Sequence, residues 1–204
     1  MATLQLTVNR AQLVRRAQLL AWIGISWHFV EFAIAILAGI AAGSIALIGF
    51  GIDSGIESIA GFVLIWRFAS RHADAERTAQ KLIALSFYIL AAYVAVEAVR
   101  ALVTADKADT SWIGIGLAAF TAPTMPLLAR AKQRVGHELH SSATVSEAGQ
   151  TMVCAYLSVA LLVGLGANAL FGWWWADPAA ALVIAAVALR EGRSSWRGDH
   201  CDVC

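Results

Sequence analysis

Apolar residues run along this chain in six long blocks, at roughly 17–42, 44–66, 80–104, 112–129, 146–171 and 173–189. A helix needs about 20 predominantly apolar residues to cross a bilayer, and the first five blocks meet that need. The sixth is short, but tilt or local thinning of the bilayer accommodates it. Arg15 and Arg16 precede the first block in the manner of a signal peptide. That block is too long for one and contains His28 and Glu31, so it is read as a retained span. Local signals support the boundaries. Ser44 starts the second helix after the tight "AAGS" turn, and Trp173, Trp174 and Trp175 mark an interface. Asp177 followed by Pro178 suits an N-cap and first helical position. The pattern predicts an all-α, six-helix membrane bundle over 17–190, preceded by a cytoplasmic segment, 1–16, and followed by a Cys/His tail, 191–204.

Composition agrees with this reading. The chain is 59% hydrophobic and 14% charged, against about 25% charged for an ordinary globular domain. A net charge of +1 gives no reason to expect nucleic acid as a partner. The basic residues also set a direction. With six spans, 13 of the 15 Lys and Arg residues fall on the side of the termini, and only Arg100 and Lys107 fall on the other. Positive charge gathers on the cytoplasmic side, so both termini are placed in the cytoplasm of a multi-pass inner-membrane protein.

Against this background the stretch "GFGIDSGIES" stands out, because it sets Asp53 and Glu57 four residues apart inside the second block. A charge at the centre of a span costs roughly 2.5–3.5 kcal/mol on the insertion scale, and such residues usually mark a pathway or a site. At i and i+4 the two carboxylates share one helix face. They repel unless a proton or a bound cation neutralises them. No Lys or Arg lies in the middle of any predicted span, so the neutralising charge is expected to be a proton or a metal ion.

The fifth block carries a second polar face, "SEAGQTMVCAYLS", with Glu147, Gln150, Thr151 and Cys154 at helical spacing. Carboxylate, amide oxygen and thiolate all bind metals, and a thiolate favours softer ions such as Zn²⁺ and Cd²⁺. Taken alone, a buried Cys is as often a small hydrophobe, and a Gln within a span is more often an interhelical hydrogen-bonding residue. Their weight comes from the acidic face of the second block.

These residues resemble the cation diffusion facilitator family, whose second transmembrane helix opens with Gly-Ser and carries Asp-x3-Asp. Here the chain reads Gly43-Ser44 and then Asp53-x3-Glu57. The family's fifth-helix ligands, His-x3-Asp or Asp-x3-Asp, fall in register on Gln150 and Cys154, and "WWWADPAAALVI" matches the Asp-Pro start of its sixth helix. The resemblance spans the whole six-helix domain and is to a short subgroup lacking the C-terminal cytoplasmic domain. It implies a homodimer in the lipid bilayer that exports a divalent transition metal by proton antiport and alternating access. Zinc is the foremost cargo, with Cd²⁺, Co²⁺ or Fe²⁺ as alternatives, and no cofactor is permanently bound. The implied ligands are Asp53, Glu57, Gln150 and Cys154. Two departures matter: Gln150 cannot titrate where the family has His, and Cys154 replaces a carboxylate.

Other polar residues have weaker claims. His28, Glu31 and Glu147 either extend the metal or proton pathway or tie neighbouring spans together. Glu97 and Arg100, three apart, read as a structural pair. In the tail, His200, Cys201 and Cys204 have spacing suited to metal capture but lack the second pair of ligands that a complete zinc site needs. His137 and His140 belong to an entry funnel or, more simply, to a solvated loop. No nucleophile and base share a supporting spacing, so an enzyme is not expected. The reading that competes with transport is a non-transporting metal sensor, or a subunit of a larger membrane assembly.

Overall fold

A computed structural model describes residues 2–69 and 73–197. The predicted tail ligands His200, Cys201 and Cys204 lie outside the described residues. Six helices follow in order: α1 (Ala2–Ala42), α2 (Ile45–Ala69), α3 (Ala73–Thr104), α4 (Trp112–Leu139), α5 (Ser142–Phe171) and α6 (Ala176–Arg197). No strand occurs among the described residues. The connections are short, so successive helices run antiparallel and the bundle carries both termini at one end. Five of the helices, α1 to α5, are long and apolar enough to cross a membrane. α6 does not meet that standard by composition, yet its 22 residues reach about 33 Å, the thickness of a hydrocarbon core.

Helices outrun the apolar blocks at the end that carries the termini. α1 has 41 residues and is about 62 Å long, twice the span of a hydrocarbon core. The segment before residue 17 therefore belongs to the same helix as the first span. The polar stretch expected to be a 130–145 connection is likewise mostly helix. α4 continues to Leu139 and α5 begins at Ser142. His140 adopts a left-handed conformation (φ 49°) as the C-cap of α4, and Ser141 caps α5 by accepting from the Thr144 N–H. Two residues, not a funnel, join these helices.

The arrangement places α2 at the centre, where it packs against α1, α3, α5 and α6; its span is the most enclosed of the five. The bundle's outward face is apolar. Leu37, Ile40, Val103, Leu170 and Phe171 are all widely exposed, a surface that water would not tolerate and lipid does. Small residues line the inward stripe of α1, namely Ala17, Ala21, Ala35, Ala38 and Ala42. His28 and Glu31 lie buried in the same stripe.

At the end away from the termini, α2 and α6 are clasped together. Gly43 turns the chain with φ +63°, and Ser44 accepts from the Leu47 N–H as the cap of α2. Ser44 Oγ in turn donates to Asp177 Oδ1 at 2.5 Å, and the Ile45 N–H donates to Asp177 Oδ2 at 3.1 Å. Asp177 is thus not the N-cap of its own helix. It sits within the first turn of α6 and turns its carboxylate onto the exposed N–H groups and positive dipole end of α2. The pair is fully buried, so no water replaces it. Asp177→Ala is expected to lower stability by about 2–4 kcal/mol, because a buried hydrogen bond to a charged group is worth about 1.5–3 kcal/mol and an orphaned Ser44 adds to the loss. Asp177→Asn keeps one acceptor and should lose less. Thermal unfolding in detergent reads both, and an unchanged midpoint for Asp177→Ala would show that the clasp contributes nothing.

Candidate metal site

Glu31 is the hub of the buried polar interior. It is wholly inaccessible and gathers donors from four helices. Thr121 Oγ of α4 donates to Oε1 at 2.5 Å. Ser54 Oγ of α2 donates to Oε2 at 3.0 Å, and Cys154 Sγ of α5 lies 3.7 Å from the same oxygen. His28 Nδ1, one turn earlier on α1, lies 3.2 Å from Oε2. Pro123 and Pro126 interrupt α4 just beyond Thr121. Lacking N–H groups, they leave the Ala119 and Ala122 carbonyls without their helical donors, and Thr124 Oγ donates to the neighbouring Phe120 and Thr121 carbonyls.

Beside this hub, His28, Glu57 and Cys154 form a cluster in which one ligand atom from each lies within 4.8 Å of the others, all buried. His28 Nδ1 lies 3.0 Å from Glu57 Oε2 and 3.2 Å from Glu31 Oε2, and Glu57 Oε2 accepts no well-aligned hydrogen bond among the described residues. A buried carboxylate oxygen without a donor is costly, and it faces an imidazole and a thiol. Imidazole, carboxylate and thiolate are all zinc ligands; tetrahedral zinc at the usual bond lengths spaces them about 3.3–3.6 Å apart. The three groups would close to that spacing by shifts of about 1 Å.

The expected ligands separate in the structure. Glu57 and Cys154 meet, as the resemblance implied. Asp53, one turn from Glu57, is buried with Oδ2 unpartnered among the described residues, in electrostatic reach of Glu31 and Glu191, and is not a member of the compact cluster. Gln150 is half-buried one turn before Cys154. Glu147 has a partner that the sequence did not suggest: Lys132 Nζ donates to Glu147 Oε1 at 2.9 Å and to Thr151 Oγ at 3.1 Å. Lys132, read from sequence as part of a cytoplasmic connection, is buried on α4 because that helix continues past its apolar block. The interior therefore does contain a basic side chain. His28, given a secondary role by the sequence, stands inside the cluster. The signal was available: His28 and Glu31, three residues apart in an otherwise apolar block, share one helix face. Glu97 and Arg100 do pair, at 3.2 Å, on the exposed side of α3.

A buried set of ligand atoms in the middle of a membrane bundle is a place to bind a cation. Comparison with protein families matches residues 21–197 to the cation efflux transmembrane domain. The chain belongs to this family. Members of the cation efflux family move cations across membranes, so this is a multi-pass membrane protein of cation transport. A comparison with individually curated proteins finds no match.

Cadmium reports on such a site through the ultraviolet thiolate-to-metal charge-transfer band. In protein carrying Cys201→Ser and Cys204→Ser, Cd²⁺ should produce the band, and the further change Cys154→Ser should abolish it. Glu31→Gln, which disturbs the group orienting His28 and Cys154, should weaken Cd²⁺ binding by about 10- to 100-fold. A band that survives Cys154→Ser would place the thiol outside the metal's coordination.

Proposed function

We propose that this cation efflux protein exports a divalent transition metal, zinc foremost, across the cytoplasmic membrane, with both termini in the cytoplasm. The observation that carries the reading is the buried His28–Glu57–Cys154 cluster, with Asp53 one turn away and Gln150 one turn before Cys154. Imidazole and thiolate favour Zn²⁺ and Cd²⁺ over Mg²⁺ or Ca²⁺, which take oxygen donors. The metal binds to deprotonated ligands, so binding releases protons and protons compete for the same groups. This linkage is the physical basis for proton antiport. Asp53 and Glu57 take protons when the cation leaves, because two buried carboxylates so near each other cannot both stay ionised without a counter-charge. Gln150 supplies an amide oxygen but no proton. Alternating access follows if the helices rock about the buried site and expose it to one side at a time. Membership of the family supports a homodimer in the lipid bilayer.

Proteoliposomes test the reading directly. Zn²⁺ or Cd²⁺ flux driven by a proton gradient is expected for the unaltered chain and should fall to background in Asp53→Ala and Glu57→Gln, with insertion intact. Cys154→Ser should reduce Cd²⁺ flux more than Mn²⁺ flux, serine being the harder donor. Full transport by Asp53→Ala would overturn the ligand assignment. Stoichiometric binding without any flux would identify a sensor rather than an exporter.

A further inference from the structure

Lys132 is an ammonium group buried in a membrane bundle, which is costly unless it is paired and does something the fold alone does not need. An apolar pair of similar volume would serve packing as well. Its position is informative. Gly24, which contacts it, is one turn before His28 on α1. Gly61, which faces Glu147, is one turn after Glu57 on α2. Glu147 is two turns before Cys154 on α5. α1 and α5 run away from the end that carries the termini, and α2 runs toward it. All three displacements therefore point the same way: the Lys132–Glu147 pair lies between the His28–Glu57–Cys154 cluster and the end of the bundle that carries the termini.

Space has been left for the ammonium. A Cβ on Gly24 would stand 2.7 Å from Lys132 Nζ, whereas one on Gly61 would meet Ile25 at 2.6 Å and Glu147 Oε1 only at an ordinary 3.6 Å. Glu147 Oε2 is buried and has no hydrogen-bond partner among the described residues. The carboxylate thus keeps acceptor capacity that Lys132 does not use.

We propose that Lys132 is a tethered counter-cation that closes the metal site on the side of the termini, holding Glu147 until an entering divalent cation takes that carboxylate in its place. Glu147 is then an entry group rather than a ligand of the central site, and Lys132 a positioning residue that guards it. A divalent ion with affinity for carboxylate displaces the ammonium from Glu147, and Lys132 swings out along its flexible stem. A monovalent ion offers no greater charge than the ammonium already there and does not open the route. The inference rests on the proposed metal site for its purpose, but the closure itself is testable without any transport.

Cys154 is the reporter. The background protein carries Cys201→Ser and Cys204→Ser and is reconstituted in vesicles. A small charged methanethiosulfonate is then applied from the side of the termini. Lys132→Met, an uncharged chain of similar length, should speed modification of Cys154 by about ten-fold or more, since breaking a buried ion pair removes a large part of what holds the helices closed. Gly24→Ala, which crowds the ammonium and keeps its charge, should speed it in the same direction. Rates in both variants within two-fold of the background would overturn the closure. The metal site is read separately, by protection of Cys154 with Cd²⁺. Protection in the background and its loss in Glu57→Gln support the site; absence of protection would refute the site while leaving the labelling rates to decide the closure.

Discussion

A carboxylate inside a membrane bundle has no water to turn to, and the interior of this protein is organised by that constraint. Glu31 meets it by drawing donors from α1, α2, α4 and α5 onto its two oxygens. Hydrogen bonds to a carboxyl group in such surroundings are strong, and leaving one unmade is expensive. The four helices are therefore fixed relative to one another where Glu31 sits. His28, Ser54, Thr121 and Cys154 take their orientations from it. What remains is a surplus: Asp53 Oδ2 has no hydrogen-bond partner among the described residues, and Glu57 Oε2 has only the contact with His28. Glu31 builds the frame, and the other two acids are left able to bind something.

Much of this architecture was legible along the chain. The apolar blocks are long, and burial of a hydrophobic helix in lipid needs no tertiary information, so class, helix order and the approximate spans follow from composition and length. The acids of α2 were equally plain, since a charge within an apolar block is conspicuous by its cost. Cys154 could be matched with Glu57 only because the resemblance to a family put α2 and α5 together; spacing within one helix says nothing about which helix faces which.

The misreadings have a common physical source. Apolar windows find where lipid is, not where a helix ends, and α1 and α4 continue well beyond it. Lys132, three residues beyond the fourth apolar block, lies on α4 for that reason. On a helix it falls on the same face as Ala129 and Gly136, which are buried, and its side chain reaches across a two-residue connection to Glu147. Asp177 was misjudged differently. An Asp before a Pro normally caps its own helix, but this one caps α2, more than 130 residues away. Capping preferences record that a helix start wants an acceptor, and they are silent on which chain segment provides it.

The polar contacts divide the bundle along its length, and the division bears on how it moves. At the end away from the termini, Asp177 locks α6 to α2 by accepting from the Ser44 hydroxyl and the Ile45 and Ala46 N–H groups. There too α5 meets α6 so closely that a Cβ on Gly164 would lie 2.6 Å from that of Ala180. Interfaces of small residues in direct backbone contact resist sliding. At the opposite end, one ammonium bridges α4 to α5 beside α1 and α2, and a long flexible lysine yields to a competing cation more easily than helix packing does. Close glycine contacts occur toward the termini as well, as where a Cβ on Gly61 would meet Ile25 at 2.6 Å, so the ends differ in their polar contacts, a clasp at one and a charge pair at the other, with the Glu31 frame between them. In the transport cycle proposed above, the end with the charge pair is the one that would open to an arriving cation, and release on the far side would need the loss of charge on the cluster itself to loosen the frame. On that proposal metal binding and helix movement are one process, because the carboxylates that would attract the ion are the groups for which protons compete.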